Sequence, residues 1–75
     1  MELNEFVQRF SQEFEETPAD QFTPSTIYKD LGEWDSLIAL SIISMVDDEL
    51  NKEISGADLR SCNTIEELHN LVMKL

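Results

Sequence analysis

Leu3, Phe6, Val7, Phe10 and Phe14 recur at steps of three and four, the spacing that puts apolar side chains on one face of an α-helix. Glu2, Glu5, Gln8, Arg9, Gln12, Glu13 and Glu16 fill the opposite face. The pattern predicts a helix over residues 2–16, ended by Thr17-Pro18 because the residue before a proline disfavours the helical region. A second helix is expected from Asp35 to Leu50, with Asp35 or Ser36 as its N-cap. Ile38, Ile42, Ile43, Met45, Val46 and Leu50 form its broad apolar arc, and Ile42, Ile43 and Val46 are expected to point to the middle of the fold. Ser41, Ser44, Asp47 and Asp48 lie mostly opposite, while Leu37 and Leu40 fall at or beyond the edges of the arc. Ile54 anchors the next connection, and Ser55 caps a short helix from Gly56 to Ser61 with Leu59 facing inward. Thr64 followed by Glu67 has the spacing of a capping box, which starts a last helix burying Ile65, Leu68, Leu71 and Val72, with Leu75 at its end. Three longer helices and one short one make an all-α fold, a small four-helix bundle.

Residues 17–35 break every period. Two prolines, Gly32 and several cap-type residues interrupt them, yet Phe22, Ile27, Tyr28 and Leu31 are apolar and need burial. A structureless loop of about 19 residues is unusual in so small a fold. The segment is therefore expected to be pinned by these side chains, with one short turn near Ser25–Lys29.

The length, 75 residues, corresponds to one domain, residues 1–75. A chain of this size buries only about 60% of the surface it exposes when unfolded, leaving little room for a deep enzyme cleft. Sixteen acidic residues against five basic ones give a formal charge of −11. Such a surface repels nucleic acid and anionic membranes and attracts basic protein patches. The single cysteine, Cys62, permits no internal disulfide, and with one histidine, His69, there is no Cys/His zinc cluster. The acidic N-terminal residues lack the apolar run of a secretory signal, and no apolar stretch approaches the ~20 residues needed to cross a bilayer. The expectation is a cytoplasmic monomer.

The chemistry lies in Asp30-Leu31-Gly32-Glu33-Trp34-Asp35-Ser36-Leu37. A serine at a helix N-terminus is solvent-accessible, and a phosphodiester on it would sit near free backbone N–H groups and the positive end of the helix dipole. The segment resembles the attachment site of the acyl carrier protein family, Asp-Ser-Leu at the start of the second helix after a Leu-Gly pair. The likeness of helix order, length and acidity extends over nearly the whole chain. The resemblance implies a 4'-phosphopantetheine arm on Ser36, derived from coenzyme A and installed by a phosphopantetheinyl transferase. It gives Asp35 a part in that transferase's metal and coenzyme A chemistry. It also implies an acyl cargo held as a thioester and presented to acyl-loading and acyl-processing enzymes with basic docking patches. Leu37, outside the apolar arc, is a candidate contact for partner enzymes, and Asp47, Asp48 and Glu49 match the acidic cluster through which the family recognises its enzymes.

Two departures stand out. Ser41 and Ser44 are uncharged, and Ile38 stands where many members carry a polar residue, so docking near the serine is expected to be more apolar. Glu33-Trp34 places two residues before Asp35 where fatty-acid carriers usually have one. Trp-Asp-Ser-Leu is similar to stand-alone carriers of specialised pathways, which points away from housekeeping fatty acid synthesis. Trp34 is expected to pack under the loop. An aminoacyl carrier (peptidyl or D-alanyl) and an unmodified acidic interaction module remain the alternatives. An enzyme is not expected: a triad of Ser36, His69 and Asp35 has nothing to bring its histidine to the serine. Residues 47–51 lack the alternating oxygens and central glycine of a calcium loop. Cys62 has no basic neighbour in sequence to activate it and reads as a small buried residue.

Overall fold

The computed structural model describes residues 1–75 and is all-helical. Helices α1 (Leu3–Ser11), α2 (Ser36–Leu50), α3 (Gly56–Ser61) and α4 (Ile65–Met73) surround one core. Phe6, Phe10, Tyr28, Ile42, Val46, Ile65, Leu68 and Val72 are completely shielded from solvent.

The start signals hold. Asp35 caps α2, with Ile38 N–H donating to its Oδ1 at 2.8 Å. Ser55 with Asp58 and Thr64 with Glu67 form capping boxes on α3 and α4. A left-handed Asn51, φ 55°, closes α2, a conformation that asparagine tolerates better than most residues.

The end of α1 does not hold. The helix stops at Ser11, short of the expected residue 16, and proline is not the cause. Gln12, Glu13 and Phe14 each donate to the carbonyl three residues back, so the last turn tightens into 3-10 geometry. The next N–H groups, of Glu15, Glu16 and Thr17, bond to the side chain of Glu33. A distant carboxylate thus replaces the helix's own carbonyls. The tightening turns Phe14 onto Phe22 and Trp34, with ring centroids 4.9 and 6.3 Å away.

The long connection contains two 3-10 turns, Ala19–Gln21 and Tyr28–Asp30, where one was expected near Ser25–Lys29. Its backbone leans on α4: Ile65 N–H donates to Thr26 O and Glu66 N–H to Pro24 O. Those two donors at the start of α4 have no partner within their own helix. Phe22 and Tyr28 are buried as expected, but Ile27 is about half exposed, because its backbone rather than its side chain makes the bridge to Thr64. Two other expectations fail. Ile43 is only half-buried and faces a surface groove, since it lies about 100° around the helix from Ile42. Leu75 lies past the end of α4 and is exposed.

The element that joins these parts is Tyr28. Its ring lies 5.6 Å from Phe10 and 4.9 Å from Trp34. Its hydroxyl reaches the carbonyls of Leu59 and Cys62, at 2.6 and 3.0 Å, and its single proton serves both. Lys29 Nζ donates to the neighbouring Arg60 carbonyl at 2.8 Å. Together they satisfy the C-terminal carbonyls of α3, a helix of six residues and so too short to persist unaided. Tyr28→Phe should keep the ring packing but strand two buried carbonyls, costing about 1–3 kcal/mol. Urea unfolding of the two proteins measures this, and in the variant hydrogen exchange should accelerate first at the amides of residues 59–62.

Candidate functional site: a free serine between two clefts

Ser36 is the first residue of α2 and is exposed. Asp35 has already taken the capping position, so the Ser36 hydroxyl is not needed there and makes no hydrogen bond within the chain. The N–H groups of Ser36 and Leu37 also lack partners. Ala39 N–H bonds to Asp35 O, and Ile38 N–H to the Asp35 carboxylate. An unbonded hydroxyl thus stands beside two unbonded backbone donors at a helix N-terminus, where partial positive charge favours an anion. Ser41 and Ser44 are also unbonded but lie inside α2, away from its free N–H groups, and the remaining serines are engaged. Ser11 donates to Gln8 O at 2.6 Å, Ser55 caps α3, and Ser61 donates to Asp58 O at 2.8 Å.

Two clefts open on either side of Ser36. One, of ≈ 360 Å³, is walled by Trp34, Ala39 and Leu59 and carries Lys29 and Arg60. The other, of ≈ 280 Å³, collects Glu13, Glu15 and Glu33 beside Leu37, Ile38 and Ser41. Asp35 borders both. Trp34 is partly buried, stacks on Phe14 and meets Tyr28 at a tilt, so it packs under the loop as expected while also lining the first cleft.

Glu33 is the positioning residue that sequence reasoning missed. Its carboxylate accepts from Glu15 N, Glu16 N, Thr17 N and Thr17 Oγ1 at 2.8–3.0 Å. It lies two residues before Asp35, so the bonds that end α1 also fix the approach to Ser36. Lost hydration would by itself raise the pKa of this group, but the hydrogen bonds outweigh that effect and hold it below the usual glutamate range. The extra residue between Gly32 and Asp35 was the available signal, although nothing in it named the partner.

The other candidates are dispersed. Leu37 is 72% and Leu40 62% exposed, and both present apolar surface beside the serine. Asp47, Asp48 and Glu49 are exposed at the far end of α2, but consecutive residues point in different directions around a helix. Asp47 lines a groove with Leu40, Ile43 and Ile54. Glu49 is already paired with Arg9, Nε to Oε1 at 2.9 Å, and Arg9 also bonds Glu13 at 2.6 Å. His69 bonds to the Met1 carbonyl and packs on Phe6, a setting that does not include Ser36. Cys62 is buried and unpaired.

The family model for the phosphopantetheine attachment site matches residues 4–72. The chain belongs to that family. No curated protein and no solved structure matches it. Phosphopantetheine-binding domains are carriers rather than enzymes, and they work through the enzymes that modify them and process their cargo. The free hydroxyl and unpaired N–H groups at the head of α2 fit that prosthetic group, whose first atoms are a phosphodiester. No helix is long and apolar enough to cross a membrane.

The lowered pKa of Glu33 has a consequence for stability. A carboxylate whose folded pKa is depressed stabilises the fold above its unfolded pKa, and that contribution is lost as pH falls through the folded value. Glu33→Gln should lower the thermal midpoint at neutral pH, and its deficit relative to wild type should shrink as pH drops below the glutamate range near ~4. Calorimetry of both proteins across that range measures the difference.

Proposed function

We propose that Ser36 is the attachment point and that the chain is an acyl carrier. The observation that carries this reading is the division of labour at the head of α2: Asp35 caps the helix, leaving the Ser36 hydroxyl exposed and unbonded. Ser36 Oγ would attack the pantetheine-bearing phosphorus of coenzyme A. A new P–O bond forms, the pyrophosphate bond breaks, the adenosine bisphosphate half departs, and the serine proton passes to a base of the transferase. Asp35 stands at the entrance to that reaction, where its free oxygen can receive the transferase's metal or a basic side chain. The arm, once present, supplies a thiol that holds the cargo as a thioester. Tethering raises the cargo's effective concentration at each enzyme on which the domain docks.

Docking is assigned to the exposed side of α2. Leu37 and Leu40 supply apolar contact, and Asp47 and Asp48 supply free negative charge for basic patches. Glu49 contributes less, because Arg9 already neutralises it. The filled core supports a short or polar cargo, as expected for a specialised pathway. None of the four surface clefts is lined by Phe6, Phe10, Ile42 or Val46. A long chain would have to displace these packed side chains, and dense interiors resist that.

A broad-specificity transferase with coenzyme A should add one phosphopantetheine to wild type and none to Ser36→Ala, read by intact mass. Modification of the alanine variant would sink the assignment. Its kcat/KM should fall with added salt, because exposed charges are screened within ~8 Å at physiological ionic strength. The fall should be smaller for Asp47→Lys/Asp48→Lys.

The cargo reading is checked by loading the arm with acyl chains of increasing length. The thermal midpoint should stay level or drop with length. Progressive stabilisation would mean that the core opens for a long chain.

A further inference from the structure

The two clefts beside Ser36 differ in charge. One gathers Glu13, Glu15 and Glu33, and the other carries Lys29 and Arg60. The chain has only five basic residues, and both of its ion pairs belong to Arg9. Lys29 and Arg60 therefore stand without a carboxylate partner. The Lys29 ammonium is held in place by the Arg60 carbonyl, which takes one of its three donors and leaves two. The Arg60 guanidinium folds back over α3, since a methyl group added at Gly56 would lie 3.2 Å from its Nη1. Ser36 lines the same cleft as both cations, together with the apolar surfaces of Trp34, Ala39 and Leu59 and one carboxylate, Asp35.

An arm on Ser36 begins with an anionic phosphodiester and continues as a largely apolar chain. The cleft with Glu13, Glu15 and Glu33 repels its first charge, whereas the other offers two free cations against the single carboxylate of Asp35, together with an apolar wall. We infer that Lys29 and Arg60 hold the arm's phosphodiester and lay its first carbons along Trp34 and Leu59. This rests on the reading of Ser36 as the attachment point. The arm then has a preferred side of α2, facing α3, and the cleft containing Leu37, Glu13 and Glu15 stays open for partners.

The test uses the full chain, converted from apo to holo form with coenzyme A and a transferase, with completeness read by intact mass. Trp34 is the only tryptophan, so its indole N–H resonance reports on this cleft, and phosphorus NMR reports on the diester. Conversion should shift the indole signal and the amides of Ala39 and Leu59. Arg60→Gln should reduce those shifts and move the phosphorus resonance towards that of a free diester. Because Lys29 also steadies α3, Arg60→Gln is the decisive variant: the backbone carbonyl that Lys29 uses survives it. Added salt should act in the same direction, and Lys74→Gln, a cation outside this cleft, should leave every signal in place. No mass increase in wild type would overturn both readings. A complete mass increase with a silent Trp34, or with phosphorus and indole signals indifferent to Arg60→Gln, would overturn this inference alone.

Discussion

The proton of the Tyr28 hydroxyl is shared between two carbonyls at the end of α3, and the geometry around Ser36 depends on that contact. Helix α3 forms one wall of the cleft beside the serine and Trp34 forms another. Tyr28 touches both, Trp34 through its ring and α3 through its oxygen. The ring also rests on Phe10, so the core of α1 carries the same side chain. Burial pushes the phenol's pKa well above its ordinary value. The hydroxyl therefore keeps its proton, and with it both hydrogen bonds, across the physiological range. Packing, a buried hydrogen bond and the shape of the site meet in one residue.

Glu33 makes the complementary connection on the other side of the serine, by a different kind of force. Tyr28 works in a dry interior, where an unmade hydrogen bond is costly. Glu33 is partly solvated and works by number, with four donors converging on one carboxylate. Those donors lie just past the end of α1. Because they bond to a side chain rather than to helix carbonyls, α1 is short, and Phe14 is free to turn into the aromatic cluster with Phe22 and Trp34. The shortening of one helix and the fixing of the loop before Ser36 are thus a single event.

How much of this was legible in the sequence depended on how far each determinant lay along the chain. Helix starts were readable because the capping side chain sits within three residues of what it caps: Asp35 on Ile38, Ser55 on Asp58, Thr64 on Glu67. The apolar face of α1 was readable for the same local reason. The end of α1 was not, because its determinant, Glu33, lies 16–18 residues away from the groups it binds. Pro18 offered a plausible local stop that the structure does not use. Ile43 was misplaced because an arc of six apolar residues on α2 exceeds what one face can bury, and periodicity alone does not say which edge is left out. At the site, Asp-Ser-Leu marked the serine. Which of Asp35 and Ser36 caps the helix was left open by spacing and decided by geometry. The cations Lys29 and Arg60 were invisible, since they lie 31 residues apart and meet only when Tyr28 docks α3.

The charge pattern around Ser36 suits a carrier that must both hold and release. A chain of net charge −11 would on average repel a phosphodiester, so an arm attached anywhere on it would extend into solvent. Two unpaired cations on one side of the serine change that locally, and the question is how firmly. Solvent-exposed charge pairs contribute only about 0.2–1 kcal/mol each, against a thermal energy of ~0.6 kcal/mol. Such a hold would bias an arm on Ser36 towards the α3 side without locking it there. A partner docking, as proposed, on Leu37, Leu40 and the free carboxylates would bring basic residues of its own close to the same phosphodiester. They would compete with Lys29 and Arg60 for it, and the balance is small enough for docking to tip. The acidity that draws the partner and the few cations that retain the arm are then parts of one arrangement, in which binding the enzyme itself weakens the grip on the arm.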